Sequence, residues 1–138
     1  MGKLDGKVAV ITGAASGMGA STARLFVSEG AQVLVTDMDV RRGQAVANEL
    51  GSAAHFCPSD VSKEDEVAQA IEQATSKWGR LDVMFNNAGF VGARGPIQSI
   101  SEDDFDITVD VLFKGVFFGM KHAAPVMKSQ GSGSIIST

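Results

Sequence analysis

The sequence has no tyrosine, only one cysteine and three prolines, and no excess of basic residues. A lone Cys57 cannot form an internal disulfide, which favours a reducing compartment. The apolar run near the N-terminus, Val8–Ile11, is too short for a signal-peptide core or a membrane span, and no later run is long enough to span. There are 12 Lys and Arg against 16 Asp and Glu, whereas binding a polyanion needs a clustered basic excess. We therefore expect a cytoplasmic protein with neither membrane nor nucleic acid among its partners.

The composition is that of a folded domain. Hydrophobic residues make up 44% of the chain and the net charge is −4, which argues against disorder. A chain of this size buries roughly two-thirds of its unfolded surface, enough for one core but not for two independent ones. We predict one domain over residues 1–138.

Short β-branched runs alternate with helical patterns along the whole chain. We predict strands at Val8–Ile11, Gln32–Thr36, Ala53–Cys57, Leu81–Phe85 and Ser134–Thr138, and helices at Gly17–Glu29, Val40–Leu50, 62–78 and Glu102–Met127. Strands joined through helices of this length are mostly parallel, because the chain must cross back over the sheet. The pattern predicts a doubly wound parallel α/β sheet in three α/β/α layers, incomplete after the fifth strand. Ligands bind such sheets at the carboxyl ends of the strands.

Two helix starts are predicted from a hydroxyl residue followed three positions later by a carboxylate. Ser62 precedes Asp65, and Ser101 precedes Asp104, so each serine is expected to cap its helix. The helix that follows Ser101 is predicted to be continuous, with Pro125 bending or loosening its last turn.

A Gly-rich turn, Thr12–Gly19, follows the first strand and opens the first helix. Gly13 permits the tight turn, Gly17 allows a pyrophosphate to approach the backbone, and Gly19 allows close packing of helix on sheet. Ser16 and Met18 lie in the same turn, where the unpaired N–H groups of the helix face the phosphates. No Gly-Lys-Ser/Thr follows, so a triphosphate P-loop is not supported.

Asp37 ends the second strand, 18 residues after Gly19, with Met38 beside it. A carboxylate here accepts hydrogen bonds from both ribose hydroxyls of an adenosine and repels a 2′-phosphate. Arg41 and Arg42 are positioned to hold such a phosphate but fit better as a solvated first helical turn. The sequence therefore favours NAD over NADP.

These motifs together resemble the short-chain dehydrogenase/reductase family over the whole chain. The resemblance is carried by TGAASGMG, Asp37, Asp60-Val61 and Asn86-Asn87-Ala88-Gly89, and by KHAAPVM followed by GSGSIIST. It implies a Rossmann-type fold in which Asp60 and Val61 contact the adenine. It also implies that Asn87, Ala88 and Gly89 line the adenosine ribose side of the cleft. The small Ala88 and Gly89 allow close backbone approach, and an Asn satisfies backbone groups near a turn.

Two departures from the family pattern concern its chemistry. Family members use Ser, Tyr and Lys, and a chain without tyrosine contains no Tyr-x-x-x-Lys. The catalytic Ser is expected beyond Thr138, and Ser134 and Ser137 are interpreted as ordinary strand residues. Leu112 stands where the family usually has an Asn that holds a water, which an apolar side chain cannot do. We therefore predict no catalytic residue within this chain.

The resemblance implies an NAD-dependent oxidoreductase that transfers hydride between nicotinamide and an alcohol or ketone, this chain supplying only the dinucleotide site. It also implies a homo-oligomer, commonly a tetramer, through the helix that carries Phe117 and Phe118. The loop 90–100 is expected at the cleft mouth, in reach of substrate. His55 and His122 are far apart without ligand-like neighbours, so no metal site is predicted.

Two other interpretations remain open. The absence of tyrosine and the presence of Leu112 favour a non-catalytic dinucleotide-binding or subunit-interaction module. Methyltransferases that bind S-adenosylmethionine also use a Gly-rich turn and an acidic residue after the second strand. The spacing of the glycines and the Asn86–Gly89 motif argue against that class.

Overall fold

The computed structural model describes residues 1–138 as a five-stranded parallel sheet with helices on both faces. The strands are β1 Val8–Thr12, β2 Gln32–Asp37, β3 Ala54–Pro58, β4 Val83–Asn86 and β5 Ser134–Ser137. The helices are α1 Gly17–Ser28, α2 Val40–Leu50, α3 Glu64–Trp78, α4 Glu102–Val109 and α5 Gly115–Gln130. Short 3₁₀ turns lie at Gly51–Ala53 and Ile97–Ser99, and a π-helical turn at Asp110–Lys114 joins α4 to α5.

The strand order is β3-β2-β1-β4-β5, which confirms the predicted doubly wound sheet. The chain begins at the centre, builds outward to β3, and returns past β1 to add β4 and β5 on the other side. The order therefore reverses between β1 and β4. Such a reversal opens a crevice at the carboxyl ends of the strands.

Strand β1 is buried along its whole length because alternate residues pack into cores on opposite faces of the sheet. Val8 and Val10 belong to one core, Ala9 and Ile11 to the other. The first core packs against α3 and α5 through Val67, Ala70, Ile71, Ala74, Ala123 and Met127. The second packs against α1 and α2 through Ala20, Ala23, Val46 and Ala47. The predicted three-layer arrangement is therefore confirmed.

The two predicted helix caps have different outcomes. Ser101 caps α4, since its Oγ accepts from the Asp104 N–H at 3.1 Å and donates to the Asp104 carboxylate at 2.8 Å. The prediction for Ser62 is wrong. Its hydroxyl donates to Asp60 at 2.7 Å, and α3 begins two residues later at Glu64 without a side-chain cap. The Asp60 carboxylate competes successfully for the hydroxyl that the sequence pattern assigned to the helix.

The predicted single helix after Ser101 is interrupted by the π-helical turn at Asp110–Lys114, which contains Leu112. Inside this turn the Lys114 ammonium lies 2.6 Å from the Asp110 carboxylate. Pro125 does not end α5, which continues to Gln130. None of the helices combines the length and apolarity needed to cross a bilayer.

The fourth strand begins at Val83, two residues later than predicted. The side chain of Gln130 occupies both backbone groups of Leu81, accepting from its N–H and donating to its carbonyl at 2.8 Å. The Asp82 carboxylate accepts from the Val8 N–H at 2.9 Å. The Gln130 side chain at the end of α5 and the Val8 N–H at the start of β1 thus hold these two residues.

Candidate functional site

A cavity of about 520 Å³ lies at the carboxyl ends of β1, β2 and β4, at the reversal of strand order. It brings together most of the predicted site residues. Those that line it are Gly13, Ser16, Met18, Asp37, Met38, Val61, Asn87, Ala88 and Gly89. Gly17, Gly19 and Asp60 are not part of its wall. The other lining residues are Phe90, which begins the loop predicted at the cleft mouth, and Ser59, Ile107 and Val111, which were not predicted as site residues.

The Gly-rich turn approaches the segment after β4 so closely that two glycines are required. Gly13 has a φ of +64°, and a Cβ there would lie 2.8 Å from the Ala88 Cα. A Cβ on Gly19 would lie 2.7 Å from Asn87 Nδ2. Contacts this short are not tolerated without a backbone shift. The turn and the segment Asn87–Gly89 therefore form one packed unit at the cavity wall.

Hydrogen bonds from Thr12 and Asn87 hold this unit together. The Thr12 hydroxyl accepts from the backbone N–H groups of Asn87 and Ala88 at 3.0 and 2.9 Å. In return the Asn87 side-chain amide donates to the carbonyls of Thr12 and Gly13 at 3.0 and 3.3 Å. The role of Asn87 in satisfying backbone groups follows the sequence prediction. Thr12 was not predicted to have a role.

Asp37 is the one charged residue in the cavity wall. Its carboxylate accepts from the Ala15 N–H at 3.0 Å and from the Asp39 N–H at 2.9 Å, one bond to each oxygen. A carboxylate has about four acceptor positions, so each oxygen retains one. Arg42 is not part of the wall, and its guanidinium lies 3.6 Å from the Asp39 carboxylate.

Helix α1 begins at the cavity, and no side chain caps its N-terminus. Ser16 is the N-cap residue, but its side chain makes no capping hydrogen bond, and the first turn of α1 holds no acidic residue. The first N–H groups of a helix have no partner within the helix and carry partial positive charge. Gly17 has a φ of +54° with open space where a Cβ would lie. The arrangement suits an anion beside Ser16.

Asp60 and Val61 have separate environments. The Asp60 carboxylate accepts from both the N–H and the hydroxyl of Ser62, and the Asp60 N–H donates to Glu66 at 2.7 Å. Asp60 therefore organises the turn that precedes α3. Val61 is buried and lines the cavity.

The unpredicted lining residues come from segments distant in sequence. Ile107 and Val111 are one helical turn apart, and Phe90 opens the loop that was predicted to lie at the cleft mouth. The 3.6-residue periodicity gives the spacing of Ile107 and Val111, but only the tertiary placement of α4, which carries Ile107, and of the π-helical turn, which carries Val111, brings them to the cavity. Leu112 is not a lining residue; its Cδ2 lies 3.2 Å from the position of a Cβ on Gly89.

Two residues of the wall hold buried polar atoms without a hydrogen-bond partner, the Ser59 hydroxyl and the Asn87 amide oxygen. Unpartnered buried polar atoms are uncommon in folded proteins. Together with the free positions on Asp37 and the open helix end, they fit a polar ligand that also has apolar parts. A dinucleotide has these properties, so the residues present suit one.

Comparison with known proteins agrees with this geometry. The family model described as short chain dehydrogenase matches residues 7–138. Tropinone reductase-like 2 from Erythroxylum coca is 46% identical over 99% of the chain and half of its own length. Borneol dehydrogenase, mitochondrial, from Lavandula x intermedia is 49% identical over 99% of the chain and 52% of its own length.

Solved structures of similar proteins have the same fold. A 3-ketoacyl-(acyl-carrier-protein) reductase from Brucella melitensis, complexed with NADH, superposes with a TM-score of 0.93 at 37% identity, over 98% of this chain and 57% of that one. A short chain dehydrogenase/reductase from Burkholderia phymatum in complex with NAD superposes with a TM-score of 0.94 at 33% identity, over 99% of this chain and 50% of that one. The chain spans about half the length of the curated relatives it matches. It belongs to the short-chain dehydrogenase/reductase family.

Proposed function

We propose that these residues form the NAD site of an oxidoreductase that transfers hydride between nicotinamide and an alcohol or ketone. The observation that carries the choice of NAD is Asp37, the one charged residue in a wall without basic side chains. Its carboxylate has acceptor positions for both ribose hydroxyls and would repel a 2′-phosphate. The NADH- and NAD-bound structures of the two similar proteins are consistent with this choice.

Four parts of the wall have a defined task in this proposal. Asp37 holds the adenosine ribose, while the open end of α1 with Ser16 holds the pyrophosphate. Val61 packs against the base, and Asn87 keeps the Gly-rich turn in place. Bound NAD supplies the hydride acceptor, or in its reduced form the donor, and the protein supplies position.

The alcohol or ketone assignment follows the family resemblance. The similar proteins named as a borneol dehydrogenase and a tropinone reductase-like protein belong to dehydrogenase and reductase classes. The family's Tyr and Lys would have to lie outside these 138 residues, because the chain has no tyrosine. We therefore expect the 138 residues alone to bind NAD without turnover.

A second candidate, a non-catalytic dinucleotide-binding or subunit-interaction module, is favoured by the same lack of tyrosine. The two candidates share the NAD site and differ in whether the full-length protein oxidises any alcohol. Turnover of NAD with an alcohol panel separates them.

Oligomerisation is a further part of the proposal. Phe113, Phe117 and Met120 are exposed on the π-helical turn and α5, and Phe105 on α4. An apolar helical surface of this kind suits the homo-oligomer, commonly a tetramer, that the family resemblance implies. A cytoplasmic location is proposed on the single free thiol, Cys57.

The proposed NAD preference is tested by calorimetric titration of the full-length protein that carries this sequence. We expect NAD to bind more tightly than NADP. The Asp37→Ala variant should lose about tenfold or more in NAD affinity, because a hydrogen bond to a charged group contributes about 1.5–3 kcal/mol. The preference of this variant for NAD over NADP should also decrease, because the carboxylate that repels the 2′-phosphate is gone.

The matched control is Asp39→Asn. It removes a nearby negative charge from a residue outside the cavity wall and retains an oxygen for the Arg42 N–H, which the Asp39 side chain caps at 2.9 Å. We expect its NAD affinity to match that of the unmodified protein. An Asp37→Ala variant with unchanged affinity and preference would overturn the role of Asp37.

A further inference from the structure

One hydrogen bond joins the loop 90–100 to the rest of the chain. The Ala93 N–H donates to the Thr108 hydroxyl on α4 at 2.9 Å. The other hydrogen bonds of the loop connect its own residues, between positions 96 and 100. Because the loop makes no other hydrogen bond to the protein, a single side chain of α4 fixes where it lies.

Thr108 contacts the loop through both branches of its side chain. Its hydroxyl donates to the Asp104 carbonyl in the preceding helical turn at 2.6 Å, and a lone pair remains to accept from Ala93. Its methyl group lies against Gly92, since a Cβ at that position would be 2.8 Å from Thr108 Cγ2. Gly92 has a φ of +75°, in the region that favours glycine. The two contacts together match a threonine on the helix to a glycine in the loop.

The first residue of this loop forms part of the cavity wall. Phe90 lines the cavity together with Ile107, whereas Ala93 and Thr108 line a separate groove of about 560 Å³ between the loop and α4. The groove separates much of the loop from the helix, so packing does little to hold the loop there. The Thr108 contacts therefore hold the segment that begins at Phe90.

The strand order indicates that this segment lies toward the nicotinamide half of a bound dinucleotide. Asp37, the proposed ribose residue, ends β2, the Gly-rich turn follows β1, and the loop follows β4 on the opposite side of β1. A dinucleotide that runs from Asp37 across the Gly-rich turn therefore directs its other half toward β4. The hydride is transferred in that half, so an alcohol or ketone must bind near the loop.

We propose that Thr108 is a positioning residue that holds Phe90 at the part of the wall where the substrate binds. Thr108 acts through the loop, because it lines the groove and not the cavity. The substrate that this wall suits carries an apolar group beside the reacting carbon, since Phe90 and Ile107 are both apolar. This inference rests on the proposed function.

The first test measures amide hydrogen exchange in the loop of the full-length protein that carries this sequence. Thr108→Val keeps a methyl group against Gly92 but removes the acceptor of the Ala93 N–H. Exchange at that amide should become about three- to tenfold faster. Thr108→Ser keeps the hydroxyl and should restore the slower exchange.

Thr75→Val is the matched control for the loss of a helical threonine hydroxyl. The Thr75 hydroxyl also donates to a carbonyl of its own helix, that of Glu72 at 3.0 Å, but it accepts from no loop N–H. Its substitution should leave exchange in the loop unchanged. Unchanged exchange at Ala93 in Thr108→Val, or faster exchange that Thr108→Ser does not reverse, would overturn the role of Thr108.

The second test measures oxidation of cyclohexanol and propan-2-ol, secondary alcohols with and without a large apolar group. In Thr108→Val the KM for cyclohexanol should rise about three- to tenfold with little change in kcat, because the substrate must order the loop on binding. The KM for propan-2-ol and the affinity for NAD should stay as they are. An equal rise in KM for both alcohols, or a fall in kcat alone, would contradict the proposed positioning.

The two tests also separate this inference from the proposed function. If the full-length protein oxidised no alcohol, the proposed oxidoreductase and the substrate role of Phe90 would both be overturned. If it oxidised alcohols but Thr108→Val changed neither loop exchange nor KM, only the role of Thr108 would be overturned.

Discussion

At the scale of the residue, two buried threonines differ in what their hydroxyls bind. Thr12 and Thr36 are directly paired across β1 and β2, and both are at most 4% exposed. The Thr12 hydroxyl accepts from two backbone N–H groups of the segment after β4, whereas the Thr36 hydroxyl has no partner. Substituting each threonine therefore measures two different contributions to stability: that of a hydroxyl that accepts from backbone N–H groups, and that of a hydroxyl without a partner.

We expect Thr12→Val to lower the free energy of unfolding by about 1–3 kcal/mol, because it leaves the Ala88 N–H without an acceptor and the Asn87 N–H with the Phe85 carbonyl alone, at 3.0 Å. Thr36→Val should be neutral or stabilising, since it replaces an unpartnered hydroxyl by a methyl group of similar size. Urea denaturation of the two variants measures both values. Equal effects would mean that the Thr12 bonds do not stabilise the site.

At the scale of the element, similar sequence patterns gave a helix cap in one place and a turn in another. Ser101 has no competing partner upstream and caps α4, whereas Ser62 lies two residues after the Asp60 carboxylate and bonds to it. The Ser62 hydroxyl bonds to the carboxylate that precedes it and so forms a local turn instead of a helix cap. The pattern therefore predicted the group that Ser101 binds but not the group that Ser62 binds.

The difference between the two serines predicts different costs on substitution. Ser101→Ala should destabilise the protein by about 1 kcal/mol, the usual cost of losing an N-cap hydroxyl. Ser62→Ala removes no cap from α3 or α4, and the backbone N–H of residue 62, which donates to Asp60 at 3.0 Å, is retained. Ser62→Ala should therefore lower the stability of the protein less than Ser101→Ala does. Thermal unfolding of the two variants checks the order, and a larger loss for Ser62→Ala would contradict the assignment of the cap.

At the scale of the whole molecule, a buried carboxylate ties the start of the sheet together. Burial opposes the ionisation of Asp82, but the bonds from Arg80, at 2.6 and 2.7 Å, and from the Val8 N–H outweigh it. With the added charge of Lys7 at 3.6 Å, the pKa of Asp82 lies below its ordinary value. The charged form is therefore favoured more strongly in the folded protein than in the unfolded chain.

This shift makes stability depend on pH in a known direction. The contribution of Asp82 is fully present above its unfolded pKa of about 3.9 and is lost as the pH falls through its lower folded pKa. In that window the unfolded chain binds more protons, so the free energy of unfolding should rise with pH. Urea denaturation at several acidic pH values measures the slope.

The Asp82→Asn variant is the control for this slope. It should have a smaller pH dependence that does not vanish, because Glu49 and Glu64 also have lowered pKa values. The hydrogen bond from Arg24 is the largest cause for Glu49, and that from Lys121 for Glu64. A slope unchanged by the substitution would show that Asp82 does not titrate differently in the two states.

The sequence by itself determined the parts of this protein that depend on local geometry. The Gly-rich turn, the carboxylate that ends β2 and the alternation of strand and helix are encoded by backbone freedom and by periodicity, which act over a few residues. Spacing alone placed the Gly-rich turn after β1 and Asp37 at the end of β2, where the structure has them, and it predicted the parallel sheet.

Only the tertiary structure decided which distant residues share the cavity. Ser59, Ile107 and Val111 meet there because the strand order and the placement of α4 and the π-helical turn bring them together. The same applies to Thr12, whose partners lie 75 and 76 residues away. Such contacts depend on how whole elements pack, and no short segment of sequence contains that information.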